Sequence, residues 1–181
     1  MQFDPIMVEN PGIVFFGSPP KDAVVVVTGV SRSQTTRLAL LLGGIQGLPL
    51  YWTEPGNSED YEFFDPIEAG DLEVPKGIVA DRPERWVVKR PYVWRHTEAL
   101  TEILGPRLTW VFIFRDPMAV AAKCFVRHGG TMEYWLAQVV QDTHEAMDFA
   151  LAAPRPKAII SAEKLILHQA ELNHRLRGWL T

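Results

Sequence analysis

The chain has 181 residues, 47% hydrophobic and 22% charged, with a formal net charge of −4. Such a chain buries enough apolar surface for one domain, residues 1–181, and is neither disordered nor fibrous. The mild acidity gives no footprint for nucleic acid or an anionic membrane surface, and no apolar run reaches the roughly 20 residues needed to span a bilayer.

Residues 1–11 carry Asp4 and Glu9 and no basic residue, unlike the positive start of a signal peptide. Cys124 is the single cysteine and has no internal disulfide partner. Together these predict a cytoplasmic protein.

In chain order, the β-branched run 24–28 (VVVVT) is the strongest strand signal, apolar on both faces as a central parallel strand requires. Gly29 ends it. Residues 35–45 read as a helix, with Leu38, Leu41, Leu42 and Ile45 on one side. Residues 48–52 suggest a short strand, followed by a loop dense in turn residues. A strand over 86–89 stops before Pro91. A helix over 95–104 ends at Gly105 and Pro106. A strand over 109–114 leads into a helix over 117–127, with Pro117 in its first turn. Thr131 caps a long helix to residue 153; a strand over 157–161 and a closing helix over 162–180 follow. This alternation predicts an α/β three-layer sandwich with a mostly parallel sheet of about five strands, P-loop NTPase-like. Ligands of such sheets sit at the carboxyl ends of the strands, which gathers residues 29–36, Lys89 and Arg115 at one edge.

Charge is unevenly placed. Residues 54–73 hold eight acids and no Lys or Arg, whereas residues 82–127 hold nine basic residues and four acids. Two solvated faces of opposite sign would account for this, as would a basic ligand cleft flanked by an acidic loop.

Residues 28–36 (TGVSRSQTT) follow a buried strand and open a helix, whose N-terminal N–H groups and partial positive charge suit an anion. Arg32 adds a full charge; Ser33, Thr35 and Thr36 add hydroxyl donors. The run is not a Walker A motif, because Gln34 and Thr35 stand where that pattern has Gly and Lys.

The run resembles the 5′-phosphosulfate loop of sulfotransferases, G-x-x-[RK]-S-G-T-[TS]. Gly29, Arg32, Ser33, Thr35 and Thr36 match, and Gln34 replaces a glycine that would permit close approach or a positive φ. Residues 111–117 (VFIFRDP) resemble the family's 3′-phosphate motif. Arg115 matches, and Lys123 stands where a serine is usual, a cation in place of a hydroxyl. Residues 87–91 (VVKRP) look like its central V-[VL]-K-[ST]-P strand, and residues 159–165 (IISAEKL) like its late strand and Y-E-D-L turn, with Ala162 for the Tyr. The resemblance runs from about Val24 to Leu180.

The resemblance implies 3′-phosphoadenosine 5′-phosphosulfate (PAPS, leaving PAP) as co-substrate, no metal, and a small-molecule or glycan acceptor with a hydroxyl or amine. Transfer of this kind rests on positioning and charge stabilisation. Arg32 and Lys89 are the implied cations. The base used by some relatives, a His two residues after the lysine, is replaced by Pro91. Residues 59–65 (EDYEFFD) resemble the K-E-x-H-F-F-D segment of heparan-sulfate-type relatives, so Asp60 and Glu62 are candidate bases, with His96 and His128 as alternatives. Each is equally explained as a surface residue. Trp52, Phe63, Phe64 and Trp94 are candidates for an acceptor-pocket floor or for core. Two rival readings remain open: a P-loop nucleotide or small-molecule kinase, and a non-catalytic nucleotide-binding relative, which the changes at Gln34, Pro91, Lys123 and Ala162 favour.

Overall fold

The computed structural model describes residues 12–45, 48–51, 59–154 and 156–181. Five strands form one sheet: β1 (Ile13–Phe16), β2 (Val24–Thr28), β3 (Trp86–Lys89), β4 (Leu108–Phe114) and β5 (Lys157–Ser161), in the order β1-β5-β4-β2-β3. β1 runs antiparallel to β5 and the other pairs are parallel. The chain passes from β2 to one side to make β3, then crosses to the other side for β4. β2 therefore lies at the reversal of strand order, where open α/β sheets bind ligands.

β2 is buried along its whole length because both faces are covered. Val24 and Val26 face one core, together with Trp86, Val88, Trp110 and Phe112. That core is closed by α2 (Tyr61–Ala69), α4 (Thr97–Leu104), α5 (Pro117–His128) and α6 (Met132–Ala152). Val25 and Val27 face the other, against α1 (Thr35–Gly43), α7 (Ala162–Leu167) and α8 (Gln169–Leu180). The period-2 alternation of a strand thus feeds two separate cores. Each wholly buried valine contributes about 1.5 kcal/mol or more. The three-layer α/β sandwich expected from the sequence is present.

Four local expectations need correction. Residues 13–16 form an edge strand with no clear signal in the sequence: only Ile13 of the four is buried. Residues 48–51 form a single parallel bridge, Leu50 to Val87, not a strand; Trp52 lies outside the described residues. The loop expected after Thr53 falls on residues 53–58, outside the described residues, and the acidic stretch from residue 61 is helical. Asp60 caps α2 by accepting from the Phe63 N–H at 3.3 Å; Phe63, Phe64 and Ile67 bury one side; Gly70, at φ 84°, ends the helix. Then α3 (Glu73–Asp81) follows. The closing helix is two helices, α7 and α8, with His168 (φ −135°, ψ 42°) out of helical conformation between them.

Candidate functional site

β2 delivers the chain to Gly29 at the centre of the sheet. A Cβ there would overlap the Ile113 carbonyl oxygen on β4 and crowd Ser33 Oγ at 2.8 Å, so only glycine lets the turn pass this close to its neighbour. The Tyr92 N–H donates to the Gly29 carbonyl at 3.2 Å, tying the loop to the segment after β3. Ser33 closes the turn: its N–H and its hydroxyl both donate to the Val30 carbonyl, at 3.2 and 2.6 Å. The Ser33 hydroxyl thus shapes the loop and does not point its proton outward.

Three non-glycine residues hold left-handed backbone, Arg32 (φ 69°) and Gln34 (φ 75°) in the loop and Tyr92 (φ 61°) after β3. Each stores about 1–2 kcal/mol. Gln34 is the residue that replaces the family glycine, and it adopts the backbone that a glycine would take without strain. It is also the N-cap of α1, and no side chain caps the helix. The N-terminus of α1, with its partial positive charge and no capping side chain, thus borders the cavity as an anion-binding helix end does. The Arg32 Nε is buried without a hydrogen-bond partner among the described residues, an unpaired charged donor beside this helix end.

Lys89 ends β3, paired in register with Val27. Its side chain is buried, and its ammonium lies 3.4 Å from Thr36 Oγ1 and 3.0 Å from Glu59 Oε1. Burial pulls its pKa below the ordinary lysine value, and the Glu59 contact partly restores it. A cavity of about 390 Å³ joins these groups. Arg32, Arg37, Lys89 and Lys123 line it, with the Thr35 and Thr36 side chains and a single carboxylate, Glu59. Four cations against one anion suit a multiply charged anionic ligand.

The remaining expected site residues are placed as follows. Arg115 lies beyond the end of β4, and its Nη1 donates to the Arg32 carbonyl at 3.4 Å, bracing the loop from below. Asp116 caps α5 by accepting from the Ala119 N–H at 2.9 Å. Lys123 is exposed on α5 and lines the cavity. Asp60 is buried and paired with Arg82 at 2.6 Å, while its other oxygen caps α2. Glu62 is exposed in the first turn of α2, and neither it nor Asp60 lines the cavity. Phe63, Phe64 and Trp94 are core side chains. His128 lies at the end of α5 against Trp135.

Three functional-looking groups escaped the sequence reading. Glu59 bridges Lys89 and Arg90, the latter at 3.1 Å, and so sits at the mouth of the cavity. It belongs to the segment that was singled out, one residue before the position favoured there. Arg90 is gripped by Glu68 at 2.7 Å and Asp65 at 3.1 Å, so the acidic and basic stretches of the sequence neutralise each other directly. Tyr92 donates to Asp142 at 3.0 Å, and Asp142, half-way along α6, also accepts from Arg95 and Gln138. Burial, reinforced by Asp142, raises the Tyr92 pKa well above the usual phenol value. No sequence spacing joins residues 50 positions apart, so this pair was not legible.

No protein-family profile matches the chain, and no curated protein is significantly similar in sequence. Solved structures do resemble it. An unliganded sugar kinase from a Janibacter species aligns over 87% of this chain and 93% of that one, at 16% identity and a TM-score of 0.55. A retinol dehydratase in complex with retinol and PAP aligns over 90% of this chain and 61% of its own, at 13% identity and 0.48. A gluconokinase from Sinorhizobium meliloti aligns over 86% and 93%, at 16% identity and 0.46. The sugar kinase likeness shows the fold, a P-loop kinase-like α/β sandwich. Among the described residues no helix is long and apolar enough to cross a membrane.

Proposed function

We propose that this chain binds PAPS at the phosphate loop and transfers its sulfuryl group to an acceptor hydroxyl or amine. The observation that carries the reading is Lys89: a buried ammonium, brought from β3 to the mouth of an uncapped helix and held beside Thr36. A buried lysine is costly unless it meets an anion. Here Glu59 meets it, at a position shared with the cavity. The unpaired Arg32 Nε beside the uncapped start of α1 fits a 5′-phosphosulfate closely packed on the loop. Thr35, standing where a Walker lysine would be, weighs against ordinary phosphoryl transfer from ATP.

The nucleotide supplies an activated sulfuryl group: a new S–O or S–N bond to the acceptor forms as the S–O bond to the phosphate breaks, and the electron pair leaves on the PAP phosphate oxygen. The chain's own residues do the rest. The N–H groups of Gln34, Thr35 and Thr36, with Arg32, bind the 5′ anion; Arg115 and Lys123 take the 3′-phosphate. Lys89 stabilises charge on the group in transit. Glu59, rather than Asp60 or Glu62, receives the acceptor proton, because it alone of the three lines the cavity. Asp60 fixes Glu59 from behind through its cap on α2 and its pairing with Arg82.

The test is PAP release from PAPS with a broad hydroxyl and amine acceptor set. The wild type is expected to turn over, and Lys89→Ala to lose about 10²-fold or more in kcat with PAP affinity changed less than about tenfold. Nucleotide binding without PAP release from any acceptor would replace transfer by a binding role.

A further inference from the structure

A second cavity, of about 430 Å³, opens beside the phosphate-loop cavity and shares Ser31, Glu59 and Pro91 with it. We infer that it is the acceptor subsite and that it takes a neutral, hydroxyl-rich molecule such as a sugar or cyclic polyol. The inference rests on the sulfuryl-transfer reading and narrows its acceptor.

Shared walls make the location. Glu59 faces both spaces, so an acceptor in the second cavity lies next to the proposed base and to Lys89. The chemistry of the wall sets the class. Among the described residues, Ser31, Glu59, Glu68, Arg90, Arg95 and His96 contribute polar groups, and Pro91 and the Tyr92 ring contribute apolar surface. The charges are already matched. Glu68 grips Arg90 with both oxygens, at 2.8 and 2.7 Å; Glu59 holds Arg90 at 3.1 Å; Arg95 is paired with Asp142 at 3.2 Å and Glu145 at 2.9 Å. An ionic acceptor therefore finds no uncompensated charge. A hydrocarbon-like acceptor would strip water from two carboxylates and two guanidinium groups and replace none of its hydrogen bonds. A polyol replaces them: its hydroxyls donate to the remaining lone pairs of Glu59 and Glu68 and accept from His96 or the arginine edges. The Tyr92 ring, held by its hydroxyl on Asp142, is overlain by the Arg95 guanidinium at 5.0 Å and so fixes that guanidinium in the wall.

The experiment uses protein saturated with PAP, which cannot react, so acceptor binding is read apart from turnover. Saturation-transfer NMR is recorded with three probe sets: glucose, galactose and myo-inositol; 2-naphthol; and octylamine. Signals from the neutral polyols alone, weakened about tenfold or more in Glu68→Gln and in His96→Ala while PAP affinity is unchanged, are the expected result. The same polyols should then release PAP from PAPS. Preferential binding of 2-naphthol or octylamine, or no binding by any set to PAP-loaded protein, overturns the acceptor assignment and leaves the nucleotide site standing. Failure of PAP itself to bind overturns the underlying reading and this inference with it.

Discussion

At the end of β2 the chain turns through two left-handed residues and brings Arg32, Thr36 and an uncapped helix end into one cavity with Lys89 from β3. At the end of the adjacent β4 an arginine also precedes a helix, but that junction is closed on itself: Asp116 caps α5, and Arg115 donates to the Arg32 carbonyl. The first junction leaves its helix uncapped, Arg32 Nε unpaired among the described residues and its backbone strained; the second caps its helix and supports the first. Strain and an unpaired donor at one of two similar turns are what single it out for the ligand role proposed above. From the second junction and its helix only Lys123 lines the cavity; Arg115 does not.

The sharpest way to break this contrast is at Glu59, where the open junction meets its carboxylate. Glu59→Gln is expected to lower kcat by about 10²–10⁴-fold, the usual contribution of a positioned base. Removing the only carboxylate that lines the four-cation cavity among the described residues should at the same time tighten PAP binding, not weaken it. Parallel loss of both would make Glu59 a scaffold residue.

The next effect is on pH. Burial holds the Lys89 pKa below the ordinary lysine value. In the free protein the ammonium therefore deprotonates at a lower pH than an exposed lysine, and an anion that needs it charged binds less well above that point. PAP affinity should fall along this alkaline limb by less than about tenfold in total, the loss expected of Lys89→Ala. Calorimetry of Lys89→Ala should show the limb removed.

A smaller effect separates the two junctions directly. If Arg115 meets a 3′-phosphate, PAP binds about tenfold or more tightly than ADP, as one charge-assisted contact allows, and Arg115→Ala erases the difference. A brace alone would weaken both nucleotides equally.

The layered fold was legible because its signals are strong and local: the valine run of β2, the break at Gly29, and Pro117 after β4. The edge strand β1 and the helices α2 and α3 were not. β1 is half-exposed and draws its order from pairing with β5. The acidic segment hides a helix because its charges face Arg90 and Arg82, partners more than 20 residues away whose proximity no local pattern encodes. At the site, the loop residues were readable from type and spacing. The choice among Glu59, Asp60 and Glu62 was not, since it depends on which way α2 begins. Asp60 turns inward as the cap, and this leaves Glu59 facing the cavity.

The smallest expected effect concerns the strain itself. Gln34 sits at φ 75°, so Gln34→Gly should relieve about 1 kcal/mol of left-handed strain, less the greater entropy of glycine in the unfolded chain. Chemical denaturation should show a change of less than about 1 kcal/mol, with PAP affinity preserved or improved. A loss of several kcal/mol would mean that the Gln34 side chain holds the loop.

The most direct measurement is calorimetric titration of the wild-type protein with PAP, ADP and ATP, each with and without Mg²⁺. The account predicts PAP as the tightest ligand, bound about tenfold or more above ADP and insensitive to Mg²⁺. ATP bound more tightly than PAP, and only with Mg²⁺, would contradict it and make the chain a phosphotransferase.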